Sequence, residues 1–101
     1  MRDFETLKVW EKGHQLTLAI YRATKKFPKE ELFGLTRQMR GASASIPTYV
    51  AEGCGVTGKA QLGRFLQISM GSASELEYQL IPAHDLGLLT DPDYRLSGRS
   101  T

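Results

Sequence analysis

Very few side chains in this sequence have the types and spacing that chemistry requires. His14 and His84 are its two histidines, and Cys54 is its single cysteine, among 101 residues. A zinc site needs three or four convergent ligands, and neither histidine has a second His or Cys at ligand spacing beside it. A nucleophilic cysteine needs an activating base or cation. Cys54 has Glu52 close by but no histidine near it in sequence, so it reads as a half-buried structural thiol at a helix end. Glu75 and Glu77 are two positions apart and diverge on a helix, so they do not form a catalytic pair. GCGVTGK, residues 53–59, has glycines and a lysine, but Ala60 stands where a phosphate loop needs Ser or Thr, and no strand precedes it. A hydrolase or nuclease built on Glu52, His14 or His84 would need those groups to converge in a cleft. Glu52 with Ser72 and Ser74 fits equally well a hydrogen-bonded cluster between two helices. The residues assign no catalytic group, metal or cofactor.

The cations are more suggestive. Arg22, Lys25, Lys26 and Lys29 recur at steps of three and four, which places them on one face at the end of a first helix. Arg37 and Arg40 share a side of a second helix, and Lys59 and Arg64 open a third. Phosphate recognition needs several cations gathered on one surface, so these eight residues are the candidate nucleic-acid contacts. The net charge is only +2, but residues 1–64 hold 11 Lys/Arg against 6 Asp/Glu (11 − 6 = +5), and residues 65–101 hold 2 against 5 (2 − 5 = −3). The competing reading is that the cations only solubilise helices and complement their dipoles. Tyr21, Tyr49 and Phe65 fall at helical spacing and read as core or interface residues rather than stacking platforms.

Three helices must carry these groups. Val9, Gly13, Leu16, Ile20, Ala23 and Phe27 alternate steps of four and three, which predicts a helix over about residues 4–26, stopped by Phe27-Pro28. Leu32, Leu35, Met39, Ala42, Ile46, Tyr49 and Gly53 predict a second over about 30–53, ended by Gly53 and Gly55. Pro47 lies inside it. A proline there removes the N–H owed to the Ser43 carbonyl and costs roughly 3 kcal/mol unless compensated. Ser43 and Ser45 are the nearby candidates to compensate, and a kink is expected. Thr57 or Gly58 can cap a third helix over about 58–87, with the seam Leu62, Leu66, Ser69, Ala73, Leu76, Leu80, Ala83 and Gly87 and a bend near Tyr78 ahead of Pro82. Asp91-Pro92-Asp93 signals a fourth helix start, Asp91 capping, but the remnant over about 91–97 is short.

The segments LKVWEKGHQL, IYRATKKFP, LTRQMRGASASIP, VAEG and RFLQISMGSASELE occur in this order. With their spacing they resemble the four-helix-bundle family encoded by intervening sequences of bacterial 23S ribosomal RNA genes, which includes the accessory variability determinant of diversity-generating retroelements. The resemblance spans about residues 4–90. It implies a helical-bundle protomer that assembles into a homopentamer with a basic surface and has no established enzymatic activity. For retroelement members it further implies nucleic acid and a reverse transcriptase as partners. This chain departs from the pattern at Tyr49, where the family usually has asparagine, and at Gly41, where a second basic residue often follows the arginine. It also turns to SGRST where the family's fourth helix continues.

The sequence therefore predicts a single all-α domain over residues 1–101. Its architecture is an antiparallel up-down bundle of the four-helix type, with three long helices and a truncated fourth. Short connections at residues 27–29 and 54–57 favour antiparallel neighbours. No run of about 18 apolar residues is present, and the charged N-terminus lacks an apolar signal core. A cytoplasmic protein without membrane contact is expected. The expected role is a non-enzymatic, self-associating scaffold, a homo-oligomer that takes RNA or DNA and a polymerase partner on its basic surface. The alternative is a truncated remnant of the family without independent function.

Overall fold

The computed structural model describes residues 3–56 and 58–96. Asp3 shapes the start: its carboxylate accepts the Glu5 N–H (3.1 Å) and its carbonyl accepts the Thr6 hydroxyl (2.8 Å), closing Phe4–Thr6 into a 3-10 turn. Leu7 is then extended, and α1 runs over Lys8–Thr24 rather than from residue 4. Local side-chain bonds have outcompeted the first helical turn. The expected stop before Pro28 holds, with Phe27 turned into the core.

The second apolar run is not one helix. Lys29–Glu31 form a 3-10 turn and Leu32–Thr36 a wide π turn, in which Gly34 leaves helical geometry (φ −106°, ψ −118°). α2 begins only at Arg37 and runs to Cys54. Leu32, counted on the seam from spacing, is consequently exposed. Pro47, by contrast, sits buried inside a continuous α2. The Ser43 carbonyl that it orphans takes a hydrogen bond from the Thr17 hydroxyl of α1 at 2.8 Å, a proton shared with the Gly13 carbonyl at 2.9 Å. The expected compensators do something else: the Ser43 hydroxyl donates to the Arg40 carbonyl and that of Ser45 to the Gly41 carbonyl. Gly13 lets the helices meet here, since a Cβ on it would lie 3.1 Å from Ile46 Cγ2 and 3.4 Å from Pro47 Cδ.

α3 spans Lys59–Asp85. Gly58 stands at its N-cap without a side-chain bond, and Thr57, the other candidate cap, lies outside the described residues. Gly53 does not end α2 but packs on α3, where an added Cβ would come within 3.0 Å of Leu62 Cδ1. Gly87 is not a seam residue either. At φ +76° it closes α3 in a Schellman arrangement: Leu88 N–H bonds the Ala83 carbonyl (2.9 Å) and Gly87 N–H that of His84 (3.0 Å). The reversal sends Leu89 into the core and starts α4, Asp91–Leu96. Its cap is Thr90 rather than Asp91: the Thr90 hydroxyl accepts the Asp93 N–H (3.3 Å). Residue 97, the expected end of this remnant, lies outside the described residues.

The contacts Thr24–Arg40, Thr17–Ser43 and Gly13–Pro47 run in opposite senses along α1 and α2. Gly53–Leu62 and Ile46–Ser69 do the same for α2 and α3, with the Ser69 hydroxyl donating to the Ile46 carbonyl at 2.8 Å. The result is an all-α antiparallel bundle, 44 × 23 × 20 Å, with α2 between its neighbours. Met39 lies at the centre of a core that also holds Ile20, Ile46, Leu76, Leu80, Leu89 and Tyr94, with Leu16 packed against it. Toward the opposite end the cover thins. Val9, Leu66 and Ala73, three expected seam residues, are exposed, as is Met70 of α3. No helix among the described residues is long and apolar enough to cross a membrane.

Candidate nucleic-acid interface

The antiparallel path sorts the eight cations by end. The close of α1, the turn after it and the start of α2 gather Arg22, Lys25, Lys26, Lys29, Arg37 and Arg40 near α4. Lys59 and Arg64 open α3 at the far end. A helix of that length spans about 40 Å, so they do not belong to the same patch.

Two of the six are already engaged. Lys26 Nζ pairs with Asp93 Oδ2 of α4 at 3.3 Å. Arg40 is half-buried: its Nε–H donates to the Thr24 hydroxyl at 2.8 Å, which in turn donates to the Ile20 carbonyl at 2.8 Å. The Arg40 guanidinium also lies over the Tyr21 ring, 4.9 Å from its centroid, a favourable cation–π placement. Arg40 thus ties α2 to α1. Arg22, Lys25, Lys29 and Arg37 remain exposed to solvent, with the long reach that phosphate contacts use.

Beside them runs a groove of about 470 Å³ lined by Tyr21, Leu32, Phe33, Thr36, Arg37, Arg40 and Gly41. Phe33 is 79% exposed, the most open of the exposed large apolar side chains. Phe33 stands in the wide turn one position past Leu32, outside the apolar seam. Helical spacing alone overlooked Phe33; the signal available was its place directly before Gly34. Tyr21, read from spacing as a core or interface residue, is exposed on one side and covered by Arg40 on the other. Tyr49 and Phe65 do pack across α2 and α3, with ring centroids 6.2 Å apart.

The other candidate groups do not converge. His14 stacks on Trp10 (centroids 5.0 Å apart) and shares an open groove with Glu52, Thr17 and Pro47. His84 is at the other end of the bundle. Its Nε2 is 2.6 Å from Asp91 Oδ1, and its ring stacks on Tyr94 at 4.1 Å. That hydrogen bond holds the Asp91 carboxyl below the usual carboxylate range. Glu52 faces α1, while the serine that joins α2 to α3 is Ser69, not Ser72 or Ser74. Cys54 is buried at the end of α2. Among the described residues, no three His, Cys, Asp or Glu side chains gather closely enough to hold a metal ion.

With this arrangement established, comparison with known proteins yields one family. The family model described as 23S rRNA-intervening sequence protein matches residues 5–98 of the chain. No curated protein matches it significantly.

Proposed function

The chain belongs to the 23S rRNA-intervening sequence protein family, and from that premise we propose that it is a non-enzymatic helical scaffold that self-associates and receives nucleic acid at one basic end. The observation that carries this reading is the gathering of the exposed cations Arg22, Lys25, Lys29 and Arg37 around the α1–α2 turn, while exposed apolar side chains run along α3 at Leu66, Met70 and Tyr78. Contiguous apolar surface favours association. A copy joined through α3 leaves its cations facing solvent, and a ring of copies multiplies them.

Light scattering tests the association. The expected species is a multiple of the 11.3 kDa chain, about 56 kDa for five copies, the number the family resemblance implies. A folded, strictly monomeric species at tens of micromolar overturns the scaffold. Binding of RNA and DNA is then followed from low to physiological salt. Four phosphate contacts per protomer give a slope of log K against log salt of about −3 to −4 on duplex. Absence of binding at low salt, or binding indifferent to salt, overturns the basic end.

A further inference from the structure

We infer that the groove beside Tyr21 and Phe33 is a stacking seat for an unpaired base, so that the basic end takes single-stranded polynucleotide in preference to duplex. The inference rests on the basic-end reading and adds to it the strand state and the residues that select it. Phe33 carries most of the argument. It is 79% exposed, stands in the wide turn beside Gly34, and borders an open groove instead of the core. The groove's volume falls within the range that admits a small-molecule-sized group, which one nucleotide is. Its floor is open at Gly41, where an added Cβ would meet nothing within 4 Å. Arg40, itself held by Thr24, lies on the Tyr21 ring and favours its place at the groove.

The charge around the groove favours a polyanion. Its lining includes Arg37 and Arg40 and no carboxylate. Arg22 follows Tyr21 on α1, Lys25 stands just past its end, and Lys29 precedes the wide turn. Of the neighbouring acids, Glu31 is turned back onto the Leu35 N–H at 3.4 Å, Asp93 is paired with Lys26, and Glu30 is exposed beside Lys29 outside the groove's lining. A ring face beside cations is what a single strand uses: the base stacks without regard to sequence while flanking phosphates meet Lys and Arg. In a duplex those base faces are occupied by their neighbours, so only the phosphate contacts remain.

Fluorescence anisotropy with a labelled single-stranded oligonucleotide and its duplex, at equal length and low salt, tests this. The unaltered chain should bind the single strand more tightly. Phe33→Ala should lose about 5- to 100-fold on the single strand and leave duplex binding within about twofold, while Phe33→Trp keeps the preference. Arg37→Ala should weaken both forms and lower the salt slope by about 1. Circular dichroism confirms that each variant folds. Equal affinity for both forms by the unaltered chain, or a Phe33→Ala variant that still prefers the single strand, overturns the inference and leaves the basic end standing. So does a Phe33→Ala variant whose molar mass changes while its affinities do not, since the groove is then an interface between copies. If the unaltered chain binds neither form, the basic-end reading falls and takes this inference with it.

Discussion

Pro47 and Gly34 lie thirteen positions apart on one apolar run, and each is a residue that disturbs helices. Proline is the stronger breaker, by roughly 3 kcal/mol against about 1 for glycine. Yet α2 passes through Pro47, and the helix is lost at Gly34. The difference lies in the neighbours. At Pro47 another helix is within reach, Gly13 gives it room, and Thr17 supplies the donor that the ring lacks. At Gly34 the nearest help is the Glu31 carboxylate, which accepts the Leu35 N–H at 3.4 Å and so stabilises the unwound turn itself. A helix interruption is settled by whether a partner replaces what was lost, more than by the residue's own propensity.

The largest effect should come from closing the gap at Gly13. Gly13→Val places side-chain atoms where Ile46 and Pro47 already stand, and overpacking of this kind costs about 1–3 kcal/mol. Urea unfolding should show a lower midpoint with an unchanged slope. Indifference to the valine would mean that α1 and α2 are not in close contact, and the Pro47 account would fail with it.

Thr17→Val comes next. It keeps the shape and removes the donor, leaving the Ser43 carbonyl inside α2 unpaired, at a cost of about 1–3 kcal/mol. Pro47→Ala restores an N–H within reach of that carbonyl. In the Pro47→Ala background the Thr17→Val penalty should therefore shrink, with a coupling of at least about 0.5 kcal/mol in the double-mutant cycle. Strict additivity would show that the hydroxyl and the proline do not act on one carbonyl.

These residues also mark how far the sequence could be read. Steps of three and four placed Ile20, Met39, Ala42, Ile46, Leu76 and Leu80 in the core, because burial of one helical stripe repeats locally. Thr17 was not legible as the partner of Ser43, since it lies 26 positions away and meets that carbonyl only after two helices have docked. Gly87 fits the seam's count, but its positive φ belongs to a reversal that spacing does not encode. At the site, cation types were legible and their engagements were not. Lys26 and Arg40 look like Arg22 and Lys25 until Asp93 and Tyr21 are brought beside them. Phe33 was missed because it lies off the apolar seam that the spacing traces, and its groove forms only once α1 and α2 have docked.

A smaller effect is expected at Gly34 itself. An added Cβ would meet Glu31 Oε1 at 3.1 Å and displace the carboxylate that accepts the Leu35 N–H. Gly34→Ala should cost about 1 kcal/mol, the worth of a lost cap. A variant at least as stable as the original, with Leu32 newly protected from solvent, would mean that the alanine had re-formed the helix. The two interruptions would then differ in propensity after all.

The least effect concerns α4, where the same rule applies to a whole element. Six residues are too few for a helix that stands alone in water, and α4 is held through His84–Asp91, Lys26–Asp93 and the Tyr94 ring on His84. Asp91 has its carboxyl depressed in the folded chain, chiefly by the hydrogen bond to His84. A depressed folded value means that the contribution is present above the unfolded carboxylate value and is lost as pH falls through the folded one. Acidification through the carboxylate range should therefore lower the amide protection factors of α4, taken against the unfolded chain at the same pH, before those of α2, and an NMR titration should place Asp91 below an ordinary aspartate. Asp91→Asn should remove its share of that acid dependence. Protection in α4 that is already absent at neutral pH, or unchanged on acidification, would show that these partners do not hold it.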